Sequence, residues 1–381
     1  MADISGASGR IGSLDGLRGI AALWVLVGHA MLLTGWRVPL IGDPDLGVDL
    51  FIMLSGFLMV FHYQLRQEKE PWSEISTWSN FWTRRFFRIA PLYYVMLAIA
   101  IALGPVMFDS RMVIDRFLQI TPQLPERYLD GSFENVMMHV SFLFGLSPAH
   151  AFRTPLPDWS ISLEMQFYAV LPFLMLFIHR LGWLRGSIGI VATGVAISIG
   201  LRLAGINFPM PSFLPLKMHI FIAGMLLAGA LNVSSRRAFV HFLLAVVFVA
   251  LPIGGGMTVP REVVRVGLVV AFFALIFHAH LPRLLARPLN RISDFMGNRF
   301  FHELGELSFG AYLLHLLIMQ PVIAYLIKTF GNDISDFQRF LLSLAITVPI
   351  VYALSAIGHR CIEMQGQKIG KMLTRRRATA A

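Results

Sequence analysis

Arg18 and His29 stand eleven positions apart in GLRGIAALWVLVGHA, Gly16 to Ala30, a stretch otherwise apolar enough to enter a bilayer. Ionisable groups in hydrocarbon cost about 2.5 kcal/mol or more each, so they tend to mark function. On an α-helix, eleven steps of about 100° return His29 to within roughly 20° of Arg18. A rise of about 1.5 Å per residue sets it roughly 16 Å deeper. The pair asks for a ligand that uses a cation at the membrane edge and an imidazole below it.

Other clusters carry comparable signals. In TRRFFRIAPLYY, Thr83 to Tyr94, Arg85 and Arg88 share a helix face. Such a pair can anchor a span against anionic lipid heads. It can also clamp phosphate oxygens bidentately, and a polyphosphate ligand could use Arg18 as well. In DWSISLEMQFY, Asp158 to Tyr168, the residues Ser160, Glu164 and Tyr168 recur every fourth position as a polar stripe. Polar stripes glue membrane helices, but a carboxylate such as Glu164 inside a span faces a cavity or a partner. In GVDLFIMLSGFLM, Ser55 and Gly56 suit close helix approach, whereas Asp49 near the outer end is not so explained. His315, in LSFGAYLLHLL, reads as a hydrogen-bonded core residue. His62, His179 and His359 fall near span ends and carry little signal.

The elements that position these residues follow from composition. The chain has 381 residues, 56% hydrophobic and only 14% charged, with a mean hydropathy of +0.66. This predicts an all-α, polytopic integral membrane protein. About ten spans are expected, near 17–33, 47–63, 89–108, 159–179, 187–204, 214–231, 238–254, 263–278, 307–327 and 337–359. Val136 to Leu146 is too short to span and reads as re-entrant or interfacial. The net charge of +10 sits between the apolar runs, so it reads as a topology signal rather than a nucleic-acid surface. Lys and Arg concentrate in the segments that are cytoplasmic if both termini are inside. The exceptions are chiefly Arg37, Arg111, Arg116, Arg127 and Arg153. His29 then lies toward the outer half of the membrane. The chain reads as one transmembrane domain over 1–381, with spans from about 14 to 359 and a short basic cytoplasmic tail, 360–381. The single Cys361 excludes an internal disulfide and a multi-cysteine metal site, and no metal is expected. The first apolar segment is not a clean signal peptide, because it carries His29 and lacks a small-residue cleavage site.

The order DGLRGIAALWVLVGH, DLFIMLSGFLM, RRFFRIAPLYY, WSISLEMQFY and SFGAYLLH resembles the acyltransferase 3 family of bacterial integral membrane proteins. The resemblance runs from Leu14 through the ninth span. Its most specific elements are Arg18-x10-His29 and Arg85-x2-Arg88. Met165 stands where members often have a second Glu, and Ala90 replaces a frequent aromatic residue before Pro91.

The resemblance implies a membrane O-acyltransferase that moves an acyl group, usually acetyl from acetyl-CoA, to a hydroxyl of a carbohydrate acceptor. Exopolysaccharide, lipid-linked glycan and lipo-oligosaccharide are the acceptors of similar standalone members, and some members modify macrolides. It places the chain in the bacterial cytoplasmic membrane, with polysaccharide-synthesis proteins as possible partners and no nucleic acid. Arg18, Arg85 and Arg88 would hold the CoA phosphates at the inner face. His29 would act as general base or take the acyl group itself. Glu164 would serve the acceptor or orient His29, with Ser160, Tyr168 and Asp49 as further substrate-binding candidates. A proton-coupled exporter also suits intramembrane His and Glu, but the chain has no internal repeat and its cations cluster at one surface. A structural subunit would have no use for either residue.

Overall fold

The computed structural model describes residues 12–254, 258–278 and 282–380, with side chains to 374. The side chains of Arg375 to Arg377, the last cations of the predicted tail, lie outside the described residues. The elements are α1 Gly12–Thr34, α2 Pro44–Gln64, α3 Ile75–Ala102, α4 Gly104–Phe117, α5 Glu126–Leu129, α6 Phe133–Val140, α7 Trp159–Leu181 and α8 Trp183–Leu203. They continue as α9 Leu214–Gly229, α10 Ser235–Val249, α11 Val259–Phe277, α12 Arg283–Met296, α13 Arg299–Phe330, α14 Asp336–Gly358 and α15 Met364–Ala380. No strand occurs among the described residues.

Among the described residues, eight helical runs are long and apolar enough to cross a membrane: α1, α2, α3, α7, α8, α9 extended to Asn232, α13, and α14 continued into α15. Two of the ten expected spans fall outside this set. The 15 residues of α10 cover only about 22 Å, short of a hydrocarbon core of about 30 Å. Near its start α11 carries Arg261, Glu262 and Arg265. The third span also differs. Its helix starts at Ile75 rather than Ile89, because the amphipathic turns around Trp78, Trp82 and Arg85 are helical without being apolar throughout. It stops at Ala102, and Pro105 opens α4. The short stretch from Val136 becomes the end of α6 and a 3-10 turn, Leu143–Leu146, entered through Phe142 in the left-handed region at φ 62°. Ser162 ties it to α7 by donating to the Phe142 carbonyl at 2.6 Å and accepting from the Gly145 amide at 3.1 Å.

Small residues set the two tightest seams. A Cβ on Gly19 of α1 would lie 2.7 Å from the Leu304 Cβ, and one on Gly305 of α13 would overlap the Asp15 carbonyl. With Gly19 against Gly305 and His29 against His315, α1 and α13 run parallel. Gly56 of α2 abuts the Phe221 backbone and Gly224 of α9 abuts Met53, so those helices run antiparallel. Gly56 thus has the close-approach role expected of it.

At one end of the bundle, α15 packs along the start of α3 through Gly366 and Gly370, both against Phe87. The first turns of α1 lie at the same end, where Leu14 and Met364 line one cavity. Here α12 presents Arg283, Arg287 and Arg291 beside the exposed Leu284, Leu285, Ile292 and Phe295. That pattern suits a helix lying in the membrane interface.

Candidate active site

A cavity of about 460 Å³ opens at the end where α1 begins. Arg18 enters it from α1, Arg85 and Arg88 from α3, and Glu164 and Tyr168 from α7. His359 and Glu363 enter from the five-residue π turn that joins α14 to α15, their side chains 3.3 Å apart. Among the described residues none of the three guanidinium groups is hydrogen-bonded or ion-paired. Arg85 lies 5.7 Å from the Tyr168 ring centroid and 5.8 Å from that of Phe81, and its Nε is buried without a partner. Glu164 Oε1 accepts from the Tyr168 hydroxyl and from Ser55 Oγ at 3.1 Å. The structure therefore brings Arg18, Arg85 and Arg88 together as the spacing suggests. It also puts Glu164 and Tyr168 with them. Glu164 stands about one and a half turns into α7, which is deep enough to reach the arginine chamber, and it has no contact with His29.

Beyond Glu164 lies a smaller chamber of about 70 Å³, lined by Arg18, Phe51, Ser55, Ser160, Glu164 and Tyr312 among others. Tyr312 closes its far side. Its hydroxyl donates to the Pro157 carbonyl at 2.5 Å and accepts from Ser160 Oγ at 2.8 Å. Ser160 is thus engaged in holding Tyr312.

His29 lines a third space of about 520 Å³, which opens at the opposite end between the end of α1, the start of α2 and the loops before α7. Its hydrogen bonds assign its tautomer. His29 Nδ1 lies 2.9 Å from the Val25 carbonyl, which can only accept, so Nδ1 carries the proton. His315 Nδ1 lies 2.6 Å from the Tyr312 carbonyl and is protonated for the same reason. His315 Nε2 is then an acceptor, and it sits 3.1 Å from His29 Nδ1. The shared Nδ1–H leaves His29 Nε2 as a free base facing the cavity. His315 is accordingly a partner of His29 rather than a bystander in the core. Its spacing of three from Tyr312, in SFGAYLLH, was the available signal.

Asp49 is corrected. It is 3% exposed and lines none of these cavities. Its carboxylate is consumed by Lys217 of α9 at 2.7 Å and Arg265 of α11 at 2.6 Å. That makes it a tie between three helices, not a substrate ligand. Asp158, just before α7, is also structural: it accepts from Thr154 at 2.9 Å and from Tyr93 at 3.0 Å, and burial pushes its carboxyl up. Among the described residues no group of three His, Cys, Asp or Glu side chains is disposed to hold a metal.

A family model described as an acyltransferase domain matches residues 11–356. The chain is similar to the peptidoglycan O-acetyltransferase OatA of Listeria monocytogenes, 30% identical over 174 residues, covering 44% of this chain and 24% of that protein. It is similar to the acyltransferase MdmB of Streptomyces mycarofaciens, 25% identical over 341 residues, covering 82% and 79%. It also matches the regulator of hypoxia-inducible factor 1 of Caenorhabditis elegans, 27% identical over 199 residues, covering 45% and 36%. In the first and third cases the match spans little more than a third of the relative, or less. No solved structure matches.

Proposed function

This chain belongs to the acyltransferase 3 family, and from that premise we propose that it is a multi-pass membrane O-acyltransferase whose donor and acceptor enter from opposite ends of the bundle. The observation that carries the reading is the placement of Arg18 and His29 on one helix, each lining a different cavity, with a narrow chamber between them. Three unpaired guanidiniums suit the phosphates of acyl-CoA, most simply acetyl-CoA, at what the excess of Lys and Arg marks as the cytoplasmic face. The acyl-bearing arm then extends past Glu164 and Ser55 toward Tyr312. The acceptor is a carbohydrate hydroxyl in the His29 cavity, and the setting is the bacterial cytoplasmic membrane, near polysaccharide synthesis.

In the direct form of the reaction, His29 Nε2 takes the hydroxyl proton as the oxygen attacks the thioester carbonyl. The C–O bond forms, the C–S bond breaks, and the CoA thiolate leaves to be protonated from His29. The imidazolium that forms meanwhile keeps its Nδ1–H on Val25 and His315. Glu164, Tyr168 and Ser55 fix the mouth of the middle chamber. Transfer of labelled acetyl from acetyl-CoA to membrane glycan should fall by about 10²–10⁴-fold in His29→Ala, with the protein inserted and folded. Undiminished transfer by a well-expressed variant would refute the role. Sidedness has its own test. Trp159 is 4% exposed, so Ile41, 57% exposed beside the His29 cavity, is the better reporter. Ile41→Cys in a Cys361→Ser background should react with a membrane-impermeant thiol reagent on intact cells, and native Cys361 should not.

A further inference from the structure

The His29 cavity is more basic than a neutral sugar needs. Arg37, Arg111, Arg127 and Arg261 line it, against Asp43 and Asp45. Two of these arginines are neutralised in place: Arg261 pairs with Asp43, and Arg111 with Asp115 at 2.6 Å. The other two are not. Arg37 is exposed at the rim and has no hydrogen bond or ion pair among the described residues. Arg127 is 8% exposed, and its guanidinium carbon lies 3.4 Å from the centroid of the Phe152 ring and 5.5 Å from that of Tyr128. Its Nε is buried without a partner, and its terminal nitrogens have none among the described residues. Aromatic faces hold the group flat but leave its donor fork unused.

A buried cation without a counterion is costly, and a scaffold has no reason to keep one. Burial pushes Arg127 down to about 10, so it still carries its charge at neutral pH. Arg37, Arg111 and Arg127 are also among the few cations that depart from the one-sided distribution of charge along the chain. All three converge on this one space. A ligand that brings an oxyanion accounts for both facts.

We propose that the acyl acceptor is anionic, and that a phosphate or carboxylate group on it docks against Arg127, with Arg37 at the rim, while its hydroxyl meets His29. This rests on the reading that the acceptor occupies the His29 cavity. A phosphate could come from a lipid-linked sugar and a carboxylate from an acidic sugar. The chemistry at Arg127 is the same, and the probes below separate the two.

The full chain, purified in nanodiscs, would be titrated calorimetrically with glucose, glucose 1-phosphate and glucuronate, and separately with acetyl-CoA. At least one of the two anionic sugars should bind about tenfold or more tightly than glucose, and the better one identifies the oxyanion. Arg127→Gln should erase that preference, and Arg127→Lys should retain part of it, each with acetyl-CoA affinity unchanged. Equal binding of all three sugars, or no binding of any, overturns the inference, as does a preference that survives Arg127→Gln. Loss of acetyl-CoA affinity in Arg127→Gln would instead put the donor's phosphates in this cavity. That outcome overturns the assignment of the two ends as well, whereas loss of the sugar preference alone leaves it standing.

Discussion

Two sets of charges lie inside this bundle, and they differ in whether the protein itself supplies their partners. Where α2, α9 and α11 meet, Asp49 is closed in by Lys217 and Arg265. At the end of α1, Arg339 is ion-paired as well: its terminal nitrogens bind Asp336 at 2.6 Å and the carbonyls of Gly331 and Ile334 at 2.7 and 3.2 Å, its Nε alone is buried without a partner, and it lies 4.4 Å from the Phe117 ring centroid. Along α1, α3 and α5, by contrast, Arg18, Arg85, Arg88 and Arg127 face cavities with no ion pair among the described residues. Charges with partners hold helices in register. Charges without them are kept for something that arrives later. The contrast says which arginines in a membrane protein to read as scaffold and which as site.

The sharpest way to break that contrast is Asp49→Ala, which leaves two uncompensated cations in the interior. A loss of about 3–5 kcal/mol is expected, read as a lower unfolding midpoint in detergent. Acetyl-CoA affinity of the folded fraction should not change. An unaltered midpoint would mean that the triad is not scaffold after all. Removing an unpaired cation should do the reverse. Arg18→Ala is expected to leave the midpoint unchanged or higher and to weaken acetyl-CoA binding by about 10- to 100-fold. Arg85→Lys and Arg88→Lys, which keep charge but lose the fork, should each weaken it by about tenfold. If these arginines instead proved essential to folding and indifferent to acetyl-CoA, the two sets would have to change places. The smallest effect is expected from His315→Leu, which has no acceptor. The catalytic tautomer of His29 would lose one of two acceptors, lowering kcat by about five- to tenfold with acceptor KM unchanged. A purely structural His315 would not shift the pH profile of kcat, so a shifted profile is the discriminating readout.

Much of this was legible along single helices. The eleven-residue step from Arg18 to His29 is a property of α1 alone, and the pairing of Arg85 with Arg88 belongs to α3. Rotation and depth on one helix follow from sequence spacing. Most of what the sequence left open needed a second helix. Asp49 looked unexplained because its partners lie 168 and 216 residues away. Glu164 was read as a carboxylate inside a span, but which cavity it reaches is set by how α7 leans against α2 and α3. His315 looked like any lone core histidine until α13 was laid parallel to α1. Spans at α10 and α11 were inferred from average apolarity, and they fall outside the eight long apolar runs because one helix is short and the other opens with three charges. Arg127 was visible only as an exception to a charge rule, and the exception was the signal.

The 70 Å³ chamber closed by Tyr312 has one more consequence. A protein with deep wells opening toward both faces of a membrane risks short-circuiting it. The chamber is far narrower than the cavities on either side of it, about 70 Å³ against about 460 and 520 Å³. A constriction of that kind favours a thin, uncharged chain over a hydrated ion, which would have to shed its water. On the proposed reading of opposite openings, Tyr312, held by Ser160 and Pro157, would be an electrical insulator that lets chemistry cross while the membrane potential is preserved.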